Sequence, residues 1–269
     1  MDPITSRLFR NCGRKGSLVL MYHSVTAGAD TPDWPYAVSM KNFCAQLDLL
    51  KREGWKTYGL SELATRSLPA RSVVITFDDG YQDNFAAFEA LARRGMTASW
   101  FIVSRDIGAQ TRWRDAGTAQ AALLDAAQLC EMHAAGMEIG AHGHTHQRLT
   151  ECDDRALIEE LTVSKTTLEA VLQTPVTTLA YPYGAYDARV LREARAAGYA
   201  AACTTRTGWA MGENDPLMIR RLSIFAQDTL GSFARKLAFA DNEGSWRRLV
   251  GYAQRRTVSR VTRALGFAR

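Results

Sequence analysis

Short apolar runs alternate along the chain with stretches in which apolar residues recur every three or four positions. The runs are typical of buried strands, and the periodic stretches are typical of amphipathic helices. Seven runs predict strands: LVLMY (18–22), VVITF (73–77), ASWFIV (98–103), MEIGA (137–141), TTLAY (177–181), YAAACT (199–204) and IRRLSI (219–224). Because strands and helices alternate, the pattern indicates an α/β fold with a mainly parallel sheet.

Polar residues and glycines predict where several helices begin and end. Short polar side chains that precede a periodic stretch are expected N-caps: Ser39, Asp153 or Asp154, and Asp187. Glycines that separate a periodic stretch from the next strand are expected left-handed C-caps: Gly95, Gly136 and Gly198.

The strand–helix units could close into a barrel, and a doubly wound open sheet is the alternative. No GxGxxG motif follows the first strand. In either fold, ligands bind at the carboxyl ends of the strands. We assign residues 17–240 to this domain, residues 1–16 to a basic N-terminal segment and residues 241–269 to an arginine-rich C-terminal amphipathic helix.

The positive charge is concentrated at the C-terminal end. Seven arginines and no acidic residue follow Glu243, and subtracting them from the net charge of +5 leaves residues 1–243 at −2. We therefore expect no nucleic-acid partner. From Trp246 to Phe267, apolar residues recur with helical spacing between these arginines. Such a helix could pack on the barrel, or it could lie on the inner face of the membrane against anionic lipid.

Cysteine usage and hydropathy predict a cytoplasmic protein. The five cysteines are widely spaced and form no CxxC pair, which argues against a disulfide framework and a cysteine-based zinc site. The basic N-terminus is followed by only the short apolar run LVLMY, and no stretch approaches the roughly 20 apolar residues of a transmembrane helix.

The stretch GAHGHTHQRL (140–149) holds three of the five histidines and follows a predicted strand. Residues four apart on a helical turn share a face, so His142 and His146 could reach one metal ion while His144 points elsewhere. A solvated polar loop is the alternative interpretation.

Asp78 and Asp79 follow the strand VVITF directly, where two adjacent carboxylates should repel each other. A divalent cation would offset that repulsion, with one aspartate as ligand and the other free to handle protons. Two histidines and one aspartate leave open coordination positions, as in catalytic sites, and favour zinc over cobalt, nickel or iron. A simple turn is one alternative. A glycosidase pair is another, but it needs carboxyls about 5 Å or more apart across a sugar ring.

The motifs TFDDG, HGHTH and YPYG, in this order, resemble those of the polysaccharide deacetylases, carbohydrate esterase family 4 (NodB homology domain). The similarity spans roughly residues 17–225. The opening VLMYHSV is similar to the circularly permuted branch that deacetylates poly-N-acetylglucosamine. The resemblance implies a distorted (β/α)7 barrel and metal-dependent removal of N-acetyl groups from amino sugars. By the same resemblance, Asp78 is the general base, Asp79, His142 and His146 bind the metal, and the backbone N–H of Tyr183 holds the oxyanion.

Two positions depart from the family pattern. Gly143 stands where the family has Ser or Thr, and Ala180 stands where it has an arginine that orients the base. Arg220 or Arg221 of the last predicted strand is a candidate replacement, and a structural ion pair is the alternative for both. Asp83 fits the branch pattern, but capping of the following helix is the expected role.

His23 is predicted to be the general acid by elimination. An amine leaves poorly unless it is protonated, and histidine is suited to that task near neutral pH. His142 and His146 are assigned to the metal, His144 points away, and His133 lies in a helical stretch outside the barrel. His23 ends the first strand, on the same rim as Asp78, and a histidine hydrogen-bonded within a loop is the alternative.

The substrate is expected to be an N-acetylated sugar or glycan, with Trp113 and Trp209 as candidates for contact with the sugar. Ordinary packing is an equal alternative for Trp113. A deformylase or other C–N hydrolase acting on a lipid- or nucleotide-linked sugar is the alternative activity. A barrel that binds glycans without turnover is the alternative from another class, although the complete Asp-Asp-His-His set argues against it.

Overall fold

The computed structural model describes residues 1–13, 16–28, 32–113 and 120–246. The strands in this part of the chain are β1 (Leu18–Tyr22), β2 (Ser24–Thr26), β3 (Ala37–Ser39), β4 (Lys56–Tyr58), β5 (Ser72–Phe77), β6 (Ser99–Ile102), β7 (Glu138–Ala141), β8 (Thr178–Ala180), β9 (Ala201–Cys203) and β10 (Leu222–Ser223). The α-helices are α1 (Pro3–Asn11), α2 (Met40–Arg52), α3 (Leu60–Thr65), α4 (Asn84–Ala92), α5 (Ala126–Ala134), α6 (Asp154–Leu172), α7 (Ala188–Ala196) and α8 (Leu230–Phe239).

Seven strands form one curled parallel sheet in the order β10-β1-β5-β6-β7-β8-β9, and β4 adds to it beside β5. Cys203 of β9 forms a parallel bridge with Ile219, which precedes β10, so the two ends of the sheet come together. β2 and β3 form a separate two-stranded sheet. The predicted parallel α/β fold with a distorted barrel is thereby confirmed, and the open doubly wound alternative is wrong.

The strands are buried on both faces, which explains their continuous apolar runs. In β5, Val73, Ile75 and Phe77 belong to the large cluster shared with the outer helices. Val74 belongs to a smaller cluster built mainly by residues of β1, β5, β6, β8 and β9, which is the inside of the curl. Since side chains alternate along a strand, Thr76 also faces inward, and the next inward position is Asp78.

The helix ends expected at three N-cap residues and three glycines are confirmed, whereas Asp83 makes no capping hydrogen bond to the helix that follows it. Ser39, Asp153 and Asp187 each accept a hydrogen bond from a backbone N–H three residues later. The predicted C-cap glycines 95, 136 and 198 all have positive φ, between 66° and 86°.

The sequence pattern did not predict α1, α3 and α8. Of these, α1 lies in the segment that we assigned to a basic N-terminus. α1 occupies most of residues 1–16 and packs against α8, where Thr5 Oγ1 accepts a hydrogen bond from Arg235 at 3.0 Å. The predicted C-terminal amphipathic helix lies almost entirely beyond residue 246, outside the described residues, and stays a prediction. Of the described helices, none combines the length and the apolar character needed to cross a membrane.

Candidate active site and metal centre

The end of β5 separates two adjacent carboxylates. Asp78 keeps the strand geometry, and its N–H donates to Tyr22 O at 3.0 Å. Asp79 then takes a positive φ of 72°, and Gly80 N donates to Asp78 O at 2.9 Å. A positive φ is uncommon for a residue other than glycine, and such residues cluster at functional sites. The turn sends the two carboxylates to different partners, which limits their repulsion.

Asp78 pairs with the buried guanidinium of Arg221. Arg221 Nη1 and Nη2 donate to the two carboxylate oxygens at 2.6 and 2.7 Å. Arg221 also donates to Thr204 O at 3.0 Å and to Thr76 Oγ1 at 3.1 Å, so its planar group is fixed. Burial raises the pKa of Asp78, but the charges of Arg221 and His142 and the hydrogen bonds from Arg221 together outweigh it, and the net pKa is lowered. Asp78 is therefore an oriented, ionised carboxylate at neutral pH.

Asp79 meets two histidines. Its Oδ1 lies 3.2 Å from His142 Nε2 and 3.3 Å from His146 Nε2. One potential ligand atom from each of the three residues lies within 4.8 Å of the other two, and all three residues are buried. Burial raises the pKa of Asp79, but the hydrogen bonds from both histidines hold it well below its usual range.

The chemistry of this group fits a divalent cation. His142 Nδ1 donates to Ala180 O at 2.8 Å, which fixes the ring and leaves Nε2 as the ligand atom of a neutral imidazole. Asp79 Oδ2 and His146 Nδ1 are buried without a hydrogen-bonding partner among the described residues. A buried carboxylate oxygen without a donor is costly, and a metal ion would remove that cost.

A carboxylate from α6 holds the histidine turn in shape. Glu160 accepts hydrogen bonds from the backbone N–H groups of His144 and Thr145 at 2.8 and 2.9 Å, and also from the Thr145 hydroxyl. His144 itself points away from the cluster, and its Nδ1 lies 2.9 Å from Ser104 Oγ. Sequence reasoning missed Glu160. The available signal was an acidic residue on the apolar stripe of α6, next to Leu161.

His23 lies at the end of β1, on the same rim. Asn84 Nδ2 donates to its backbone oxygen at 2.8 Å, and its ring lies 4.8 Å from the ring of Tyr36. Burial lowers the pKa of His23, the charges of Asp79 and Asp78 raise it, and the net pKa is lowered. Its buried Nδ1 has no hydrogen-bonding partner among the described residues. The ring therefore sits within the electrostatic field of both carboxylates.

Two aromatic rings pack against His146. The rings of Trp113 and Tyr183 lie 4.5 and 4.6 Å from the ring of His146, and Arg148 stacks on Tyr183 at 4.4 Å. Tyr183 has a φ of 57° within the short turn Pro182–Gly184, so it shares positive φ with Asp79 and His146. Trp113, one of the two tryptophans predicted to contact the sugar, thus lies beside the candidate ligand His146.

A model of the family described as polysaccharide deacetylase matches residues 65–202, which is more than half of the chain. The chain belongs to the polysaccharide deacetylase family. It is 28% identical over 212 residues to the polysaccharide deacetylase YxkH of Bacillus subtilis, which covers 77% of this chain and 70% of the relative.

Solved structures of a polysaccharide deacetylase and of another deacetylase share the fold. BC0361 from Bacillus cereus superposes with a TM-score of 0.71 at 27% identity, covering 82% of this chain and 69% of that one. The deacetylase PplD of Streptococcus pyogenes, solved in complex with acetate, gives a TM-score of 0.68 at 26% identity, covering 80% of this chain and 95% of that one.

Both departures from the polysaccharide deacetylase motifs have a structural explanation. Gly143 has a φ of 72°, and a Cβ there would lie 3.0 Å from Glu160 Oε2, so a side chain at this position would crowd the carboxylate that holds the turn. Ala180 contributes its backbone oxygen to His142. Arg221, the predicted replacement for the arginine missing at position 180, reaches Asp78 from a distant part of the chain.

Two predicted site residues of this deacetylase lie elsewhere. Arg220 points opposite to Arg221, because adjacent residues of an extended segment face opposite sides, and its Nε donates to Glu213 at 2.9 Å. Trp209 packs over Gly16, where a Cβ built on the glycine would lie 3.5 Å from the Trp209 ring. Gly16 lies at the start of β1, at the opposite end from the carboxyl end of the strand. Arg220 is thus in a structural ion pair, and Trp209 lies at the wrong end of the barrel to touch a sugar.

Proposed function

We propose that this polysaccharide deacetylase is a metal-dependent hydrolase that removes N-acetyl groups from amino sugars of a polysaccharide, glycan or glycan precursor and releases acetate. The observation that carries the proposal is the buried Asp79–His142–His146 group beside an oriented, ionised Asp78. These groups combine a cation site with a base that does not compete for the cation, because Arg221 already occupies both of its oxygens.

Asp78 would act as the general base. A water molecule adds through its oxygen to the acetyl carbonyl carbon, and Asp78 takes the proton that the water loses. Arg221 keeps the carboxylate ionised and fixes its direction. When bound by Asp79, His142 and His146, a divalent cation would polarise the carbonyl and the water.

His23 would act as the general acid. When the C–N bond breaks, the sugar nitrogen takes the bonding pair and a proton, which His23 on the same rim would donate from its protonated form. Burial disfavours that form, and the charges of Asp79 and Asp78 favour it. The products are acetate and a free amino sugar. By resemblance to the family, the backbone N–H of Tyr183 stabilises the oxyanion. The complex of the relative PplD with acetate agrees with this product.

The test uses the full chain stripped of metal with a chelator and then reloaded with zinc, cobalt, nickel or iron. Released acetate and formate are measured on a panel of N-acetylated and N-formylated sugars and oligosaccharides. We expect acetate release that depends on one bound metal ion per chain. Release of formate alone would instead support the deformylase, and metal-independent turnover would contradict the proposed mechanism.

Two variants separate the roles of the adjacent carboxylates. Asp79→Ala should lose both metal and activity, whereas Asp78→Asn should lose activity and keep the metal, as measured by elemental analysis. Full metal content in Asp79→Ala, His142→Ala and His146→Ala alike would refute the site.

A further inference from the structure

A groove of about 510 Å³ lies next to His23 and is distinct from the metal group. Its lining includes Ser24 and Ala37 from the small β2–β3 sheet, together with Trp34 and Tyr81. The ring of Trp34 contacts that of His23 at 6.1 Å and that of Tyr81 at 5.6 Å. Because His23 would face the sugar nitrogen in the proposed reaction, the groove would receive a neighbouring unit of the same substrate chain.

One wall of the groove suits a sugar ring. Trp34 and Tyr81 meet nearly edge to face, at 77°, and Ala37, Ala121 and Ala122 add small apolar surfaces beside them. Aromatic side chains offer flat apolar faces on which the C–H surface of a sugar packs, and they also attract cations.

The polar part of the groove is acidic. Asp33 and Asp83 line it, and no lysine, arginine or histidine is among its described lining residues. The buried hydroxyl of Thr26, another lining residue, has no hydrogen-bonding partner within the described chain. The described lining of the groove therefore offers acceptors and negative charge, and it holds no cationic side chain that would neutralise them.

The local role of Asp83 differs from the expected one. It stands at the N-cap position of α4, but its side chain makes no capping hydrogen bond. Instead it accepts hydrogen bonds from the Ser24 hydroxyl and, at 2.8 Å, from Asn84 Nδ2. These two donors and the backbone N–H of Val25, which also bonds to this carboxyl, are uncharged, and burial raises the pKa of Asp83. A cationic group that entered the groove would therefore be stabilised by the Asp83 carboxylate.

We propose that this groove binds the sugar unit adjacent to the one being hydrolysed, and that it favours a unit with a free ammonium group over an N-acetylated unit. The inference rests on the proposed function, since that reaction creates the ammonium group. A unit already deacetylated would occupy the groove while its neighbour reaches Asp78 and His23. Deacetylation would then proceed preferentially beside a unit that has already lost its acetyl group.

The test compares trimers of N-acetylglucosamine: fully acetylated, or with one free amine at either terminal unit. Wild-type enzyme should show a kcat/KM at least about 10-fold higher for one of the two amine-bearing trimers than for the fully acetylated one. Asp83→Asn should reduce that ratio toward one. Asp33→Asn, at the exposed side of the groove, should reduce it as well without touching the Ser24 and Asn84 contacts. The matched control Asp48→Asn removes an exposed carboxylate elsewhere and should leave the ratio unchanged.

Calorimetry supplies a readout that does not depend on turnover. The fully deacetylated trimer should bind the zinc-loaded wild-type enzyme more tightly than Asp83→Asn or Asp33→Asn by about 10-fold, and the difference should shrink as salt is added. Acetate release from all trimers at equal kcat/KM would overturn the groove proposal and leave the proposed function standing. Absence of acetate from every trimer would count against the proposed function. In that case, equal binding of the deacetylated trimer by wild type and both variants would still overturn the groove proposal.

Discussion

Arg221 donates two parallel hydrogen bonds to Asp78, a residue 143 positions earlier in the chain. The pair is buried, with Arg221 fully inaccessible and Asp78 only 3% exposed. The fork-shaped guanidinium matches both carboxylate oxygens, so it fixes the carboxylate's plane as well as its charge. In this chain, the orienting arginine therefore comes from the segment before β10, whereas the family motif would place it at residue 180.

Replacing Arg221 by lysine should impair catalysis more than metal binding. Lysine keeps a positive charge but cannot make two parallel hydrogen bonds, so Asp78 loses its fixed direction. We expect kcat to fall about 10²-fold, the usual effect of misplacing a reacting group by an ångström. Metal content should remain complete. Arg220→Lys is the matched control, because Arg220 pairs with Glu213 outside the site. Equal losses in both variants would contradict a specific role for Arg221.

The pH dependence of kcat/KM should report the same pair. Asp78 must be deprotonated to accept a proton, and its pKa lies below the ordinary value of 3.8, so this group limits activity only in more acidic solution. In Arg221→Met the burial that raises the pKa of Asp78 remains, while the Arg221 charge, the largest of the effects that lower it, is gone. The acid limb of the profile should therefore move to higher pH in the variant.

Metal content measured at each pH provides the control, because protonation of His142 or His146 also releases the ion. A shift of the acid limb at constant metal content would support the pair. An unshifted limb in a folded, metal-loaded variant would show that Arg221 does not set the ionisation of Asp78.

Sequence reasoning placed the candidate site at the strand ends, because the carboxyl ends of parallel strands meet on one rim and histidines four apart can share a target. Sequence reasoning took the choice of Asp79 over Asp78 as metal ligand from the family resemblance. It could not choose between Arg220 and Arg221, since that choice depends on which face of an extended segment turns inward. Trp209 was misplaced for a related reason: the turn region around it folds back to the start of β1, and no local pattern reports that return.

Supporting residues were harder to find from the sequence. Glu160 comes from a helix that packs against the histidine turn, and only the tertiary packing shows which backbone donors it reaches. Asp83 looked like a helix cap, because the residue type and position fit one, but the nearby Ser24 hydroxyl from β2 binds its side chain instead. Long-range partners override local preference in both cases.

Glu160→Ala should weaken the metal site without touching a ligand. The change leaves the half-buried backbone N–H groups of His144 and Thr145 without this acceptor, at a cost of at most about 1–3 kcal/mol for each group. The turn that presents His146 should then loosen, and metal affinity should fall about 10- to 100-fold. Titration with zinc against a competing chelator measures this affinity.

Glu159→Ala, an exposed neighbour on the same helix, is the control and should match wild type. Unchanged affinity in Glu160→Ala would show that the turn does not depend on this carboxylate.

His23→Ala should separate proton donation from metal binding. The ring lies on the rim within the field of Asp79 and Asp78, and it touches none of the three candidate ligands in the described contacts. Loss of a general acid lowers kcat by about 10²- to 10⁴-fold, and metal content should stay complete. The loss should be much smaller on an activated aryl ester, whose leaving group departs without a proton.

His133→Ala is the control, because His133 lies on α5 and contacts Thr174 outside the site. Equal losses on amide and ester would assign His23 a structural role, and near-normal amide turnover would exclude it as the proton donor.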